Sequence, residues 1–488
     1  MNPFSSRSNV ARSGLRLAAI FLFSSGWAAL AAEPKAPPPS AGLLNDWLRE
    51  QHPELSRWDI GGQLRARGEF KENFAVPGLR PEAVDFRDEG GAGNTYLLLR
   101  EKLHLGYKPF DWLGAFVEGR DSSAHYDRRE PSPEQDRFDL HQAFVTLGDP
   151  RQFPLTAKIG RQELSYGDER LIGAFDWNNL GRVFDAAKLR YEQTNLWVDA
   201  FVGRVIIPDN HNFNVPNDYD VFSGLYGSSR TLLPKHEAQL YLLARNTGLD
   251  SPNAIGAGLA PFLQGASPRD IYTLGLRVKS LPGQFQGWDY DLELAGQLGN
   301  FKSPATGERL EQQAFAAHLA GGYTFAETSA TPRVGLEYNF SSGDNDPTDG
   351  KHQTFDNLFP TNHKFYGYMD FFSWQNIHNL RLTSSIKPLK ALTLTADLHG
   401  FWLADTDDFF YQANGAPRTG GGYGINPNAG SYVGTELDLI ATWQVTPYAS
   451  LQAGYGHFFV GDYVEDSLAP VGGAVDADWV YLQAVIAF

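Results

Sequence analysis

The sequence predicts an all-β protein: a single transmembrane antiparallel β-barrel of about 18 strands (16 to 18), preceded by a signal peptide. Three observations lead to this prediction. Segments of alternating apolar and polar residues recur along the chain, an export leader precedes them, and the last segment ends on Phe488. The predicted organisation is a signal peptide at 1–31, a Pro-rich periplasmic linker at 32–55 and the barrel at 56–488.

The N-terminus has the three parts of a secretory signal peptide. Three arginines precede the apolar run Leu17 to Phe23, and small residues lead to a cleavage site near Ala31. A transmembrane anchor is the alternative, but it needs about 20 apolar residues, and Ser24-Ser25-Gly26 interrupt the run. We expect the prolines of residues 33 to 40 to form a stiff linker, followed by one helical turn at Leu43 to Leu48.

The last segment has two distinct faces. One face carries Val480, Leu482, Ala484, Ile486 and Phe488, and the other carries Trp479, Tyr481 and Gln483. A final strand of this kind is typical of bacterial outer-membrane barrels, where it pairs with the first strand and closes the wall. We therefore expect a multi-pass β-barrel in contact with the lipid of a Gram-negative outer membrane.

The same period of two recurs along the mature chain. Clear examples are Trp58 to Phe70, Leu196 to Arg204, Ala238 to Arg245, Tyr272 to Val278, Tyr290 to Leu298, Arg333 to Phe340 and Leu437 to Trp443. One face of each suits lipid and the other suits water. A soluble β-sandwich also alternates, but a chain of this length would then be divided into domains of about 100 to 200 residues by linkers. No such linker follows residue 55.

Long polar segments rich in Gly, Pro, Asn and Asp separate the predicted strands and are expected to form loops that cover or gate the barrel mouth. They are Ala75 to Ala92, Ser122 to Arg137, Pro208 to Tyr219, Gly248 to Arg269, Ser342 to His363, Thr406 to Ser431 and Gly461 to Asp476.

Composition excludes several classes of protein. The chain has no cysteine, which excludes disulfide scaffolds, thiolate zinc sites and cysteine nucleophiles. Mean hydropathy is −0.35, and no run of 18 apolar residues follows the leader, so a helical membrane protein is excluded. The net charge of −16 argues against a nucleic-acid partner. The 33 Phe, 21 Tyr and 11 Trp are abundant enough to form the aromatic girdles of a barrel.

Three ordered blocks of sequence resemble the alginate-export family of outer-membrane barrels. The first block is Gly160 to Gly173 with Trp177-Asn178-Asn179 and Gly181 to Asp185, the second includes Ser342 to Pro347 and Tyr366 to Asp370, and the third is Gly434 to Asp438 with Ala453 to Phe459. The resemblance implies an 18-stranded monomeric barrel that exports or passes an anionic polysaccharide through an electropositive lumen. His141-Gln142 departs from an Arg-Glu pair of the alginate exporter's pattern, which argues against alginate as the particular cargo.

Strand parity predicts a distributed set of cationic side chains along the lumen. They are Arg65, Arg67, Arg100, Lys102, Arg120, Arg204, Arg245, Arg277 and Arg333, with Arg161, Arg182 and Arg190 near turns. Guanidinium groups bind carboxylates in a planar, bidentate manner, and several moderate sites pass a polymer that one tight site would trap. The alternative is that these cations pair with acids of the same face: Asp59, Glu69, Glu118, Asp199, Glu293, Glu337, Glu436 and Asp438.

The predicted function is passive transport or export of an anionic polysaccharide or oligosaccharide, such as an alginate-like uronate, with periplasmic secretion partners as a further expectation. A general or nutrient-specific diffusion porin for small anions is the alternative. An outer-membrane enzyme would need a nucleophile beside His104, His141 or His318, and the sequence places none there. We therefore predict a protein that is not an enzyme.

No cofactor is predicted. Asp344, Asp346 and Asp349 have spacing reminiscent of a calcium loop but lack the distal glutamate, so a solvated turn is the alternative. Aromatic residues on the polar face, such as Trp197, Phe201 and Tyr241, are either sugar-stacking platforms or fillers of the lumen.

Overall fold

The computed structural model describes residues 42–75, 84–87, 93–248, 268–303 and 306–488. All of these residues belong to the unit Pro37–Phe488. The predicted signal peptide at 1–31 and the prolines of the linker lie outside the described residues, so both stay predictions. The same holds for parts of the predicted loops Ala75 to Ala92 and Gly248 to Arg269.

Strands account for most of the described residues. They are β1 (Trp58–Glu72), β2 (Asn94–Phe110), β3 (Leu113–His125), β4 (Asp136–Leu147), β5 (Leu155–Gln162), β6 (Phe184–Gln193), β7 (Leu196–Ile207), β8 (Val215–Ser229), β9 (His236–Thr247), β10 (Arg269–Ser280), β11 (Trp288–Lys302), β12 (Arg309–Thr324), β13 (Arg333–Ser341), β14 (Lys351–His352), β15 (Ile377–Leu389), β16 (Leu392–Leu403), β17 (Tyr432–Thr446), β18 (Ala449–Val460) and β19 (Ala477–Ala487). All seven segments that the alternation singled out lie within strands.

Eighteen of these strands form one closed antiparallel barrel, which confirms the predicted fold class. Each strand pairs with its neighbour in sequence, and the two-residue β14 lies apart, pairing in parallel with β12. The last strand closes the wall against the first, with Phe70 opposite Val480 and Gln63 opposite Ala487. Reciprocal backbone hydrogen bonds of 2.8 and 2.9 Å between Gly62 and Phe488 complete this seam.

Helices are few and short. The described helices are α1 (Leu43–Gln51), α2 (Asp462–Leu468) and the 3₁₀ turns Pro53–Leu55 and Ala469–Val471. Helix α1 is longer than the single turn that the sequence predicted. Its Asp46 carboxylate accepts a hydrogen bond of 2.8 Å from Tyr448 in the β17–β18 turn. Within the described residues, no helix combines the length and hydropathy needed to cross a membrane.

The two faces of the wall differ as predicted. Large apolar side chains point outward, as shown by Leu64, Leu240 and Leu482, of which 42%, 62% and 62% are exposed. Charged side chains of the same strands point inward and are buried, as in Arg67 and Asp199. Because lipid meets one face and the lumen the other, the period of two fixed the orientation of each strand.

Short turns join the strands at one end of the barrel and longer loops join them at the other. Two of the long loops fold into the lumen: residues 163–183 between β5 and β6, and residues 342–376 between β13 and β15. They meet in a short parallel bridge between Ile172 and Phe359. Backbone bonds of 2.9 Å from Gly173 and 3.0 Å from Phe359 support the bridge.

Aromatic residues of the second loop build a hydrophobic core inside the barrel. Phe355, Tyr366, Phe371 and Trp374 are almost fully buried there, and they pack with wall residues such as Phe458. The periodicity of the strands did not predict this core, since the apolar residues of a loop carry no regular spacing. The loops thus fill part of the lumen.

Candidate functional site

Five cationic side chains of β1, β2 and β3 form a basic cluster on the inner wall. They are Arg65, Arg67, Arg100, Lys102 and Arg120, which strand parity predicted to face inward and which are at most 8% exposed. Strand pairing places Arg65 directly opposite Arg100, and Lys102 directly opposite Arg120. Like charges in directly opposed positions destabilise a sheet. The stability of the wall therefore gives no reason for this arrangement.

The arginines of the basic cluster hold the loop 163–183 through its main chain. They donate to carbonyl oxygens as follows: Arg65 to Asp176 (2.7 Å), Arg67 to Trp177 (2.7 Å), Arg100 to Asp176 (3.0 Å) and Arg120 to Leu180. A carbonyl oxygen has no net charge, so these bonds position the loop without neutralising the arginines. Carboxylates do pair with other members of the cluster: Arg67 binds Glu69 at 2.7 Å, Arg120 binds Asp136, and Nζ of Lys102 lies 3.8 Å from Glu163. Among the described residues, no ion pair joins Arg65 to a carboxylate.

Each arginine of the cluster also keeps a buried donor that has no hydrogen-bond partner among the described residues. These donors are Nε of Arg65, Arg100 and Arg120, and Nη2 of Arg67. A buried donor left without a partner costs about 1–3 kcal/mol. Four such donors in one patch indicate a surface that is poorly satisfied by the protein itself.

The carboxylate of Asp176 is the main negative charge at the open edge of the cluster. It lies 2.9 Å from Nη1 of Arg100 and 3.5 Å from Nζ of Lys102. Although this loop runs inside the barrel, 61% of the Asp176 side chain is exposed, so it faces the open part of the lumen. Burial acts to raise the pKa of Asp176, but the attraction of Arg100, Lys102 and Arg65 outweighs it and holds that pKa below its usual value.

Most of the other predicted cations act as braces between strands. Each binds a carboxylate within the barrel: Arg190 binds Asp199 (2.6 Å), Arg245 binds Asp220 (2.7 Å), Arg277 binds Asp291, and Arg333 binds Asp289 (2.9 Å). Arg182 instead donates to the carbonyl oxygen of Pro360 at 2.7 Å and joins the two inner loops. For these residues the contacts agree with the alternative interpretation, in which cations of the inner face pair with acids of the same face.

The predicted positions of Arg204 and Arg161 are wrong. Arg204 shares strand parity with Val198 and Val202, which are 38% and 49% exposed on the lipid face. Its guanidinium lies at the loop end of β7, 2.7 Å from the carboxylate of Asp218, and 46% of the side chain is exposed. Asp185 lies directly opposite both Arg204 and Arg161, and it binds Arg161 at 2.9 Å. Because directly paired residues share a face of the sheet, neither arginine is part of the lumen.

Arg170 is an important residue that strand parity missed because it lies on a loop. It is 3% exposed and donates to Glu337 at 2.8 Å and to Asp168 at 3.1 Å. It also donates to the hydroxyl of Tyr366 at 3.3 Å. Burial lowers the pKa of Arg170, but Asp168 and Glu337 raise it well above the usual value, so the side chain stays charged. The sequence block Gly160 to Gly173 contained the only signal for it.

Trp177 is sandwiched between the wall and the second inner loop. The guanidinium of Arg67 lies 3.8 Å from its ring, and the ring of His363 stacks on it with centroids 3.8 Å apart. Of the aromatic residues proposed as sugar platforms, Phe201 and Tyr241 are 5% and 2% exposed and act as fillers.

Trp197 is only partly buried. The guanidinium of Arg190 lies 4.6 Å from its ring, and 31% of the Arg190 side chain is exposed. Trp197 is thus the one aromatic of the three whose ring remains accessible from the lumen.

The three histidines considered for catalysis contact charged or amide groups. His104 lies 3.2 Å from Asp59, His141 lies 3.2 Å from Glu163, and Nδ1 of His318 lies 2.8 Å from Asn339. Within the described parts of the chain, none of them hydrogen bonds to a hydroxyl group that would serve as a nucleophile.

The residues of the predicted calcium loop do not converge. Asp346 accepts hydrogen bonds from Thr348 at 2.6 and 3.0 Å, and Asp349 pairs with Lys351 at 3.4 Å. The Asp344 carboxylate accepts a long hydrogen bond of 3.4 Å from the backbone N–H of Asp346, and the backbone N–H of Asp344 donates to Asp408. The solvated turn is the better description of this segment.

Another group, Asp168, Asp291 and His318, has donor atoms within 4.8 Å of one another. Both carboxylates are already bound by arginines: Asp168 by Arg170 at 3.1 Å, and Asp291 by Arg277. This donor set fits an ion-pair network better than a metal site.

Comparison with solved structures places the fold among outer-membrane porins of Pseudomonas aeruginosa. OccK3 (OpdO) has a TM-score of 0.53 and 14% identity, over 88% of this chain and 96% of that one. OpdQ has a TM-score of 0.53 and 11% identity, over 88% and 97%. OccK2 (OpdF), solved in complex with glucuronate, has a TM-score of 0.51 and 12% identity, over 88% and 98%. At these identities the likeness shows the fold.

A search of curated protein sequences found no match. The sequence profile of the alginate export family matches residues 56–472, which cover most of the chain and the whole basic cluster. The chain belongs to the alginate export family, and it is a β-barrel channel of the Gram-negative outer membrane.

Proposed function

We propose that this channel passes anionic saccharides of the uronate type through the part of the lumen that borders the basic cluster. The observation that carries this proposal is the register of β1, β2 and β3, which sets Arg65 against Arg100 and Lys102 against Arg120. An arrangement that costs stability is expected where function requires it. A ligand that brings negative charge would relieve the repulsion.

Uronate chemistry suits this cluster. Each uronate carries one carboxylate, and a guanidinium binds a carboxylate with two parallel hydrogen bonds at any relevant pH. The two terminal nitrogens of Arg100 make a contact of this kind with the exposed carboxylate of Asp176, at 2.9 and 3.3 Å. The complex of OccK2 with glucuronate supports the proposal, because glucuronate is a uronate and OccK2 has the same fold.

The proposal reduces the set of cations that determine selectivity from all those predicted along the lumen to the basic cluster. Braces such as Arg277 and Arg245 are matched by acids and set the shape of the lumen. Selectivity then depends on the basic cluster. We also propose that the channel works as a monomer without a cofactor, that it is not an enzyme, and that periplasmic secretion partners supply its cargo if it exports.

The test is electrical recording from the purified protein in planar lipid bilayers. We expect a reversal potential of the sign for anion selectivity, and block by oligomers of galacturonic acid but not by neutral maltotriose. Arg100→Gln should lower the selectivity more than Arg277→Gln, since both remove one buried inner cation but only Arg100 belongs to the basic cluster.

Three outcomes are informative. Cation selectivity of the unmodified channel would overturn the proposal. Anion selectivity without any block by uronate oligomers would favour the alternative function, a porin for small anions. Equal effects of the two substitutions would indicate that selectivity depends on all the cations of the lumen and not on the basic cluster alone.

A further inference from the structure

We propose that the Asp176 carboxylate is a resident competitor for the cargo: it occupies the carboxylate position between Arg100 and Lys102, and each passing uronate displaces it. This inference rests on the proposed function and assigns the binding position within it. Asp176 would then set how weakly the channel holds its cargo.

The geometry of Asp176 is that of a bound carboxylate ligand. Its two oxygens lie 2.9 Å and 3.3 Å from the two terminal nitrogens of Arg100, and one of them lies 3.5 Å from Nζ of Lys102. This paired contact between two oxygens and two nitrogens is the one that guanidinium groups make with free carboxylates. A uronate carboxylate therefore has the same shape and charge as the group that is already there.

The side chain of Asp176 has room to leave. It is 61% exposed, whereas Arg100 is 1% exposed and held by other bonds, among them one of 2.7 Å to Gln63. The Asp176 main chain is anchored independently, because its carbonyl oxygen accepts from Arg65. A rotation of the side chain would thus open the carboxylate position without moving the loop.

A resident carboxylate would help the channel to release a polyanion that the basic cluster binds. A basic cluster with directly opposed cations would hold a polyanion tightly, but conduction requires a ligand to leave as readily as it enters. An attached carboxylate returns to Arg100 each time a uronate departs. Its local concentration is fixed by the loop, so the exchange needs no other anion.

Asp289 offers a matched control. Its side chain shares the inward parity of Glu293 on β11, is 44% exposed and binds Arg333 at 2.9 Å, but it lies outside the basic cluster. Replacing either Asp176 or Asp289 with asparagine removes one negative charge that borders the lumen. A difference between the two variants therefore reports position and not net charge.

The experiment measures block of single channels by a galacturonic acid trimer, with maltotriose as the neutral probe. We expect Asp176→Asn to lower the half-blocking concentration of the trimer about tenfold and to lengthen each block, and Asp289→Asn to change it less than threefold. In a channel that carries Arg100→Gln, the added Asp176→Asn substitution should have little further effect, since the competitor then has lost its binding partner.

An unchanged or higher half-blocking concentration in Asp176→Asn would overturn the inference while the trimer still blocks the unmodified channel. A tenfold effect that persists with Arg100→Gln would also overturn it. Failure of the proposed function looks different, because the trimer would then block none of these channels.

Discussion

Replacing Arg170 with alanine should release the loop 163–183 from the opposite side of the barrel. The side chain is 3% exposed and bonds to Glu337 at 2.8 Å, to Asp168 at 3.1 Å and to Asn339 at 3.1 Å. Removing one partner of a buried ion pair costs about 3–5 kcal/mol, because the other charge stays buried. Arg381 still lies 3.2 Å from Glu337, which puts the expected cost near the lower value, about 3 kcal/mol.

Arg333→Ala is the matched control. Arg333 also binds a carboxylate of the barrel, Asp289, but the two side chains are 31% and 44% exposed. Exposed ion pairs contribute only about 0.2–1 kcal/mol, since water already solvates both charges. The two substitutions therefore delete the same chemistry at different burial.

Hydrogen–deuterium exchange of the purified protein measures the effect locally. A cost of about 3 kcal/mol corresponds to roughly hundredfold faster opening of the loop 163–183 in Arg170→Ala. The linked loop 342–376 should follow it, because Ile172 and Phe359 pair directly. The reasoning fails if exchange of these loops in Arg170→Ala matches that of Arg333→Ala.

Two further predictions concern the loops and the outer wall. Burial and mutual repulsion raise the pKa of Asp344 to about 6, and burial raises that of Asp408. The folded state therefore binds a proton here more tightly than the unfolded state. The resulting stabilisation is fully present at a pH below the usual pKa of Asp, and it is lost as the pH rises through about 6. Asp344→Asn should remove that pH dependence, measured as the difference in thermal unfolding midpoint between variant and parent from about pH 4.5 to 7.5; a constant difference would contradict it. Arg204→Ala should leave ion selectivity unchanged in planar bilayers, because Arg204 faces outward beside Asp218; a loss equal to that of Arg100→Gln would contradict it.

The strands were predictable because a barrel wall has lipid on one face and a lumen on the other. That difference imposes a period of two on every strand. The inward direction of Arg67 and the outward direction of Leu64 therefore followed from their odd and even positions along β1. The same rule placed Arg204 with Val198 and Val202, and applying it strictly would have excluded Arg204. The loop 163–183 obeys no such period.

The site was only half predictable. Parity gave the inward cations, but it could not tell which of them face each other, since that depends on the relative shift of adjacent strands. The pairing of Arg65 with Arg100 appears only in the register of β1 and β2. Likewise, the contact of Asp176 with Arg100 joins a loop to a strand 76 residues away, and local sequence rules do not reach that far.

A net charge of −16 is compatible with an anion path through this barrel. Acids such as Asp199 and Asp220 neutralise arginines of the wall pairwise, and exposed acids such as Asp218 lie outside the lumen. What an ion in the lumen experiences is the charge left unmatched nearby, because salt screens exposed charges beyond about 8 Å at physiological ionic strength. Within the basic cluster that charge is carried by Arg65, which binds carbonyl and amide oxygens in place of a carboxylate, whereas Arg67 and Arg120 are paired with Glu69 and Asp136. Selectivity should therefore follow single substitutions in the cluster and be insensitive to substitutions that change the total charge elsewhere.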